Sequence, residues 1–405
     1  MTKPYDALER RSADDRASWL AGALPKQIAV AKDLPGNRGL TETDPRAITG
    51  RDALAALPVL RKSDLVALQQ ADPPFGGLTT RDARAFDHVY QSPGPINEPG
   101  MRRGDWWRLG RFLNAAGVGP DDVVQNCFGY HLTPAGMMFE SAAEAVGATV
   151  MPAGTGQTEL QAGAAAALGA TAWAGTPDYL KAILEKADEA GLSLGITRAT
   201  VSGGALFPSL RDYYSDRGIA CLQCYATADL GLIAYESPAM EGMIVDEGVI
   251  VEIVTPGTGD PVADGEVGEV VVTTFNADYP LVRFATGDLS AVLPGESPCG
   301  RTNMRIKGWM GRADQTTKIK GMFVRPEQVA AFVARHDEVA RARVIAGREG
   351  DKDTMVVRVE AERADADQLG ASVREVMKLS GAVEIVPPGT LPRDGVVIED
   401  ARSYD

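Results

Sequence analysis

The sequence predicts an α/β protein: a large N-terminal domain with mostly parallel sheets plus a small antiparallel region, and a small α+β domain at the C-terminus. Three observations predict it. Between Asp122 and Tyr225 apolar strand-like runs alternate with amphipathic helical patterns, which implies parallel strands covered on both faces. After Tyr225 the helical patterns stop, and short strands follow one another through glycine- and aspartate-rich turns. Beyond "GWMGRADQTTKIKG" alternation resumes in a compact stretch. A chain of 405 residues is also longer than one hydrophobic core usually organises, so two units are expected, 1–309 and 310–405.

The elements follow in order. "DDVVQNCF" reads as a strand, "PAGMMFESAAEAVG" as a helix with an early proline and a closing glycine, and "ATVMPAG" as the next strand. "TELQAGAAAAL" is helical, "TAWAG" is a short strand, and Thr176-Pro177 is a cap and first-turn pair opening another helix. "RATVSGG", the helix after Pro208 and "GIACLQCY" complete the alternation. In "GVIVEIVTPGTGDPVADGEVGEVVVTTF" the "GTGDP" and "ADGEVG" segments supply tight turns for antiparallel strands. The last domain holds strands "RARVIAG" and "DTMVVRVEA", with helices at 326–336 and 365–379.

Composition narrows the function. A formal charge of −14 leaves no basic footprint for nucleic acid. The apolar window Glu159–Gly175 is mostly alanine and glycine, too short and too weakly apolar to span a membrane, and the N-terminus carries mixed charges without an apolar leader. A cytoplasmic location without membrane or nucleic-acid partners is expected. Four cysteines are too few for a disulfide scaffold, and Cys221-x-x-Cys224 reads as buried strand, since no second cysteine pair accompanies it. Three histidines, His88, His131 and His336, exclude a multi-histidine metal centre, and His336 is expected at a helix end on the surface. The mixed charges at 1–20 and 361–375 are expected to be solvated helix faces. The sequence has no G-x-S-x-G, dinucleotide-binding or P-loop fingerprint.

In a parallel sheet, ligands bind where loops leave the carboxyl ends of strands. The loops at 91–100, 129–134, 202–208, 225–231 and 283–290 are therefore the places to look for chemistry. "YPLVRFATGDLS" resembles the Y-R-x-G-D motif of the adenylate-forming superfamily, the acyl-CoA synthetases and their relatives, which implies that Asp288 accepts hydrogen bonds from ribose. "LQCYATADLG" resembles the motif Y-G-x-T-E, which implies Tyr225 over adenine, Ala226 beside the nucleotide and Asp229 as the magnesium ligand. "SGGALFP" resembles the adenine-lining segment, giving Gly203, Gly204 and Ala205. "RIKGWMGRADQTTKIKGMFVRP" is similar to the hinge motif, giving Arg312 as a phosphate or ribose contact and Asp314 as the hinge. These motifs occur in the family's order, from residue 202 to 327. With "PCGRT" and the ending "GTLPRDG", the likeness is strongest to the phenylacetate–CoA ligase family and covers about residues 50 to 402.

That resemblance implies a two-step reaction in which a small aromatic or related carboxylic acid attacks ATP, giving an acyl-adenylate and pyrophosphate, and coenzyme A then displaces AMP. The small domain becomes a mobile lid. ATP or AMP, Mg2+ and coenzyme A are the implied ligands, and a homodimer the implied assembly. "GYHLTPAGMMFES" resembles the acyl-pocket segment, so that Phe128, Tyr130 and His131 would meet the substrate as an aromatic wall.

Three departures bear on that chemistry. The family's phosphate loop is rich in Ser, Thr and Gly and normally holds a lysine. Here Ser92 and Gly94 remain, while Pro93 and Pro95 remove backbone donors and Glu98 adds a like charge, with Arg102 and Arg103 following. In "YATAD", Ala226, Ala228 and Asp229 replace the usual glycine, hydroxyl and glutamate. In the tail "LPRDGVVIEDAR", Val396 stands where the family has the lysine that enters beside the α-phosphate. Two explanations compete. Either another cation, Lys307, Lys318 or Lys320, takes over, or adenylation is lost and the protein binds nucleotide or acyl-CoA, or works on a preformed thioester or adenylate.

Overall fold

The computed structural model describes residues 3–204, 206–310, 313, 317–324, 326–350, 352–392 and 396–402. The chain divides into two compact units, Met1–Met310 and Gly311–Asp405. In the first unit the strands are β1 (Leu60–Arg61), β2 (His88–Ser92), β3 (Ile96–Gly100), β4 (Val123–Asn126), β5 (Thr149–Pro152), β6 (Ala172–Gly175), β7 (Arg198–Val201), β8 (Ala220–Thr227), β9 (Gly231–Tyr235), β10 (Met243–Val245), β11 (Val249–Val254), β12 (Val267–Thr274), β13 (Phe284–Leu293) and β14 (Arg305–Ile306). Its helices are α1 (Ala13–Lys32), α2 (Arg51–Ala55), α3 (Leu65–Ala71), α4 (Gly110–Ala115), α5 (Ala135–Ala145), α6 (Thr158–Leu168), α7 (Pro177–Glu189) and α8 (Pro208–Asp216).

One large sheet runs in the order β11-β12-β13-β14-β10-β9-β8-β7-β6-β4-β5, with β1 added beside β13. From β5 to β8 every pairing is parallel. From β8 to β11 every pairing is antiparallel. β8 is therefore the turning point, and the antiparallel region continues the parallel one edge to edge. Strands such as β6, β9 and β11 are buried at every position, which explains why they read as unbroken apolar runs.

Several details depart from the sequence reading. Pro177 opens α7 as expected, but the Thr176 hydroxyl makes no capping bond there. Residues 91–100 are not an open loop: β2 and β3 form a hairpin, with Ser92 opposite Ile96 and His88 opposite Gly100. Pro93 and Pro95 fall in its turn, where the ladder needs no amide donor. All four cysteines are free and buried, Cys221 and Cys224 within β8. Among the described residues no group of three or more His, Cys, Asp or Glu side chains could hold a metal.

The N-terminal charges are only in part a solvated face: Lys3, Arg10, Asp14 and Asp15 are exposed, while others are drawn into ion pairs. Glu9 is 1 % exposed and pairs with Arg301, while Arg11 and Arg16 both reach Glu247. Asp6 pairs with Arg111, which shares the fully buried Asp246 with Arg108. Charge alternation mistook these side chains for solvent-facing ones because their partners lie more than a hundred residues away in sequence.

The second unit packs α9 (Pro326–Val333) and α10 (Ala366–Met377) with a sheet of β17 (Arg341–Glu349), β18 (Lys352–Glu360), β19 (Ala382–Val386) and β20 (Ile398–Asp400), beside the hairpin of β15 (Thr317–Ile319) and β16 (Met322–Val324). Asp365 caps α10 by accepting from the amides of Asp367 and Gln368. His336 lies beyond the end of α9, but it is buried, its ring centroid 5.2 Å from that of Phe332, rather than on the surface. Val397 packs against this unit's core, and its carbonyl accepts from the Val344 amide at 2.9 Å.

Candidate functional site

Two irregularities in the sheet shape the site. Across β12 and β13 the register jumps: Val271 faces Ala285 and Glu269 faces Leu289, so Thr286, Gly287 and Asp288 bulge opposite Val270. Gly287, at φ +76°, takes the left-handed conformation that re-aims Asp288. A second shift lies at Tyr225/Ala226, within the antiparallel pairing of β8 with β9 and two residues beyond the point where β8 leaves its parallel neighbour β7. The two bulges bring the motif residues together.

Tyr225 Oη donates to Asp288 Oδ2 at 2.8 Å and lies 3.0 Å from Thr286 Oγ1. Trp309 Nε1 donates to Asp288 Oδ1 at 3.0 Å. Thr286 Oγ1 donates to Val270 O and accepts from the Asp288 amide, which stiffens the bulge. Asp288 is 8 % exposed. A carboxylate has about four lone-pair positions and can accept from several donors at once.

Next to this cluster lies a group of buried acids, where Lys62 is the cation hydrogen-bonded to Asp229 among the described residues. Asp229, in the turn between β8 and β9, is 5 % exposed. Its Oδ2 accepts from Lys62 Nζ at 2.6 Å, and its Oδ1 is buried without a hydrogen-bond partner. Glu98 of β3 is fully buried, with Ser92 near its carboxylate but no well-formed hydrogen bond to either oxygen. Burial would strip Lys62 of its proton, but Asp229 and, less directly, Glu98 and Asp288 act the other way, and the net shift is upward. For Glu98, burial and then the Asp229 charge push the carboxyl up to about 8, with Lys62 opposing.

Glu98 has a measurable consequence. Its folded-state value lies above the ordinary carboxylate value of 4.5, so the folded protein holds a proton that the unfolded chain releases. The associated stability is present below about pH 4.5 and is lost as pH rises through about 8. Melting curves from pH 5 to 9 are expected to show a decline in Tm for the native protein that flattens in Glu98→Gln; parallel slopes would refute this protonation state.

The other expected site residues fall as follows. Ser92 and Gly94 sit at the end of β2 and in the hairpin turn. Gly203, at φ +72°, and Gly204 are exposed, and a Cβ at Gly203 would lie 3.9 Å from Phe128 Cε1 and 3.8 Å from Thr176 Cγ2. Ala226 is half-buried at the β8 bulge. Phe128 is anchored in the core, stacked on Phe139 with ring centroids 4.3 Å apart, and its ring edge faces Gly203. Tyr130 Oη accepts from Asn126 Nδ2 at 2.7 Å. His131 is exposed on the following bend. Arg103 pairs with Asp278, which also holds Arg81, and Arg102 lines a cavity of about 260 Å³ with His88, Trp107, Glu140 and Glu144. Lys318 and Lys320 belong to the second unit: the Lys318 ammonium lies 5.8 Å from the Phe323 ring centroid, and the Lys320 amide donates to Asp353. Ala205, Arg312 and Asp314 lie outside the described residues.

Sequence reasoning missed Lys62, Trp309 and the buried state of Glu98. Trp309 stands within the hinge-like stretch and could have been singled out as an indole donor near Asp288. Lys62 had no such signal, because it reaches the site through the pairing of β1 with β13, Leu60 against Phe284 and Arg61 against Ala285.

No family model matches the chain. Curated relatives do. A phenylacetate–coenzyme A ligase of Thermus thermophilus is 27 % identical over 432 residues, spanning 97 % of this chain and 95 % of the relative. A phenylacetate–coenzyme A ligase of Escherichia coli is 29 % identical over 313 residues, 70 % of each chain. Among solved structures, 2-hydroxyisobutyryl-CoA ligase with 2-HIB-AMP and CoA superposes with a TM-score of 0.81 at 24 % identity, covering 98 % of this chain and 92 % of the other. The chain is thus similar over nearly its whole length to phenylacetate–coenzyme A ligases and shares the fold of 2-hydroxyisobutyryl-CoA ligase.

Proposed function

We propose that the protein converts a small aromatic or related carboxylic acid to its coenzyme A thioester through an acyl-adenylate, with ATP as the source of AMP. The observation that carries this reading is the Asp288 cluster: a bulged carboxylate held by Tyr225 and Trp309 at the switch from parallel to antiparallel pairing. Asp288 would take the ribose hydroxyls and the Tyr225 ring would face the base. Phe128, beside the exposed Gly203–Gly204 backbone, would border the acid. Asp229 Oδ1, a buried acceptor without a donor, fits one magnesium ligand, with water completing the shell. When bound, the metal supplies charge neutralisation on the phosphates. Arg312 and Asp314 would serve as phosphate contact and hinge, and the second unit as the lid. The protein's own residues fix the reactants and place cations, which is the main contribution available to phosphoryl-centre chemistry.

Pairing of two copies through the large unit and action in the cytoplasm belong to the same reading. Among the described residues no helix is long and apolar enough to cross a membrane.

Exchange of labelled pyrophosphate into ATP tests the reading directly. Exchange is expected with at least one aryl or short-chain acid in a broad panel with magnesium, and absence across the panel would overturn it. The prolines in the β2–β3 turn and Val396 in the tail favour a second reading, in which a preformed adenylate or thioester is the true substrate. That reading predicts transfer from synthetic acyl-AMP to coenzyme A without exchange.

A further inference from the structure

We infer that Lys62 is the fixed cation that receives the triphosphate in the acid-activating step, in the role that the tail leaves to a valine at position 396. The inference rests on the adenylate-forming reading above and concerns a residue outside every motif that led to it.

The position is built into the sheet. β1 pairs in parallel with the start of β13, and the Leu60 amide donates to the Arg283 carbonyl at 3.1 Å. Lys62 follows this registered pair on one strand just as Thr286 to Asp288 follow it on the other. The chain then turns through Lys62–Asp64 into α3, whose first residue, Leu65, is fully buried and pins the turn. The Lys62 side chain therefore leaves a rigid platform.

Its surroundings suit an anion-receiving ammonium. Asp229 lies behind it, its side chain completely buried, whereas the Lys62 side chain retains 28 % exposure. Among the described residues Asp229 is its hydrogen-bond partner, which uses one of the three N–H donors of the ammonium. Neighbouring arginines are committed elsewhere: Arg61 to Glu269 and the Gly257 carbonyl, Arg103 to Asp278. The hairpin at 91–100 contains no lysine and instead carries the buried Glu98, so it brings no ammonium.

In the step concerned, a carboxylate oxygen of the acid forms a bond to the α-phosphorus while the bond from that phosphorus to the bridging oxygen of pyrophosphate breaks. No proton needs to move. Negative charge shifts onto the departing pyrophosphate, and the remaining Lys62 donors face that charge. Coenzyme A attack on the finished adenylate releases AMP and involves no pyrophosphate, so Lys62 has no part in it.

The test compares Lys62→Met, Lys62→Arg and the native full-length protein by calorimetric binding of ATP and of adenosine, and by both half-reactions. Lys62→Met is expected to bind ATP at least tenfold more weakly with adenosine affinity unchanged. It is expected to lose pyrophosphate exchange roughly a hundredfold while making thioester from synthetic acyl-AMP at a near-native rate. Lys62→Arg should restore part of the ATP affinity. Equal losses for ATP and adenosine, or unchanged ATP affinity in Lys62→Met, would overturn the inference. If Lys62→Met does not fold, the same comparison with Lys62→Gln decides it. If the native protein binds ATP yet shows no exchange with any acid, the activation reading fails on its own, and the ATP-against-adenosine comparison still decides the role of Lys62.

Discussion

Replacing Asp288 with alanine is expected to abolish measurable acid-dependent exchange and to weaken adenosine and AMP binding by about 10²- to 10⁴-fold. Two hydrogen bonds from sugar hydroxyls to a carboxylate contribute about 1.5–3 kcal/mol each, which sums to roughly that range. The effect extends past the lost ribose contacts, because the same side chain accepts from Tyr225 Oη and Trp309 Nε1. Without it, the buried Tyr225 hydroxyl keeps Thr286 Oγ1 but loses this acceptor, and the half-buried Trp309 indole on a different segment loses it too. Asp288→Asn separates the contributions: an amide oxygen can still accept from one of them, so fold and Tm should be largely kept while nucleoside affinity falls. Titration with adenosine, AMP and ATP, alongside melting curves, checks both. Nucleoside affinity unchanged in Asp288→Ala would remove the basis of the functional assignment.

How far the site could be read from sequence follows from how each residue reaches it. Asp288 and Tyr225 lie at bulges of β13 and β8, and Asp229 in the turn after β8, all within short motifs, so the resemblance of those motifs to the family's carried their roles. The strand-helix alternation from 122 to 225 likewise gave the parallel half. What stayed hidden depends on pairing between distant segments. Lys62 reaches Asp229 across 167 positions of sequence, and no periodicity rule links β1 with β13. Glu98 reads in sequence as an added surface charge, yet the Tyr90–Glu98 pairing turns it inward beside Asp229. The setting of the rings at 128 and 130 was hidden for a related reason: Phe128 stacks on Phe139 and Tyr130 accepts from Asn126, contacts made by packing around α5.

Such long-range pairing also holds the N-terminal segment, and a second large effect is expected there. Glu9 lies on a single helical turn, Ala7–Arg10, and is 1 % exposed. Its Oε1 accepts from Tyr235 Oη at 2.5 Å and from Arg301 Nε at 2.9 Å, and its Oε2 from the Tyr5 amide at 2.8 Å. The guanidinium carbon of Arg301 sits 6.0 Å from the Tyr235 ring centroid. Glu9→Ala leaves a 3 % exposed arginine without its carboxylate and a buried phenol without its acceptor. Breaking such a buried pair costs about 3–5 kcal/mol, because the remaining charge stays desolvated. The wide spread in measured values for ion pairs comes from burial, and this protein contains its own control: Arg46 and Asp44 form a pair whose side chains are 89 % and 53 % exposed. Arg46→Ala should leave the first thermal transition within error. Glu9→Ala should lower it by several degrees, and Glu9→Leu combined with Arg301→Met should recover much of that loss, since an apolar pair of similar size needs no desolvated charge. Equal melting temperatures for Glu9→Ala and Arg46→Ala would show that the N-terminal turn is not a clamp on the sheet.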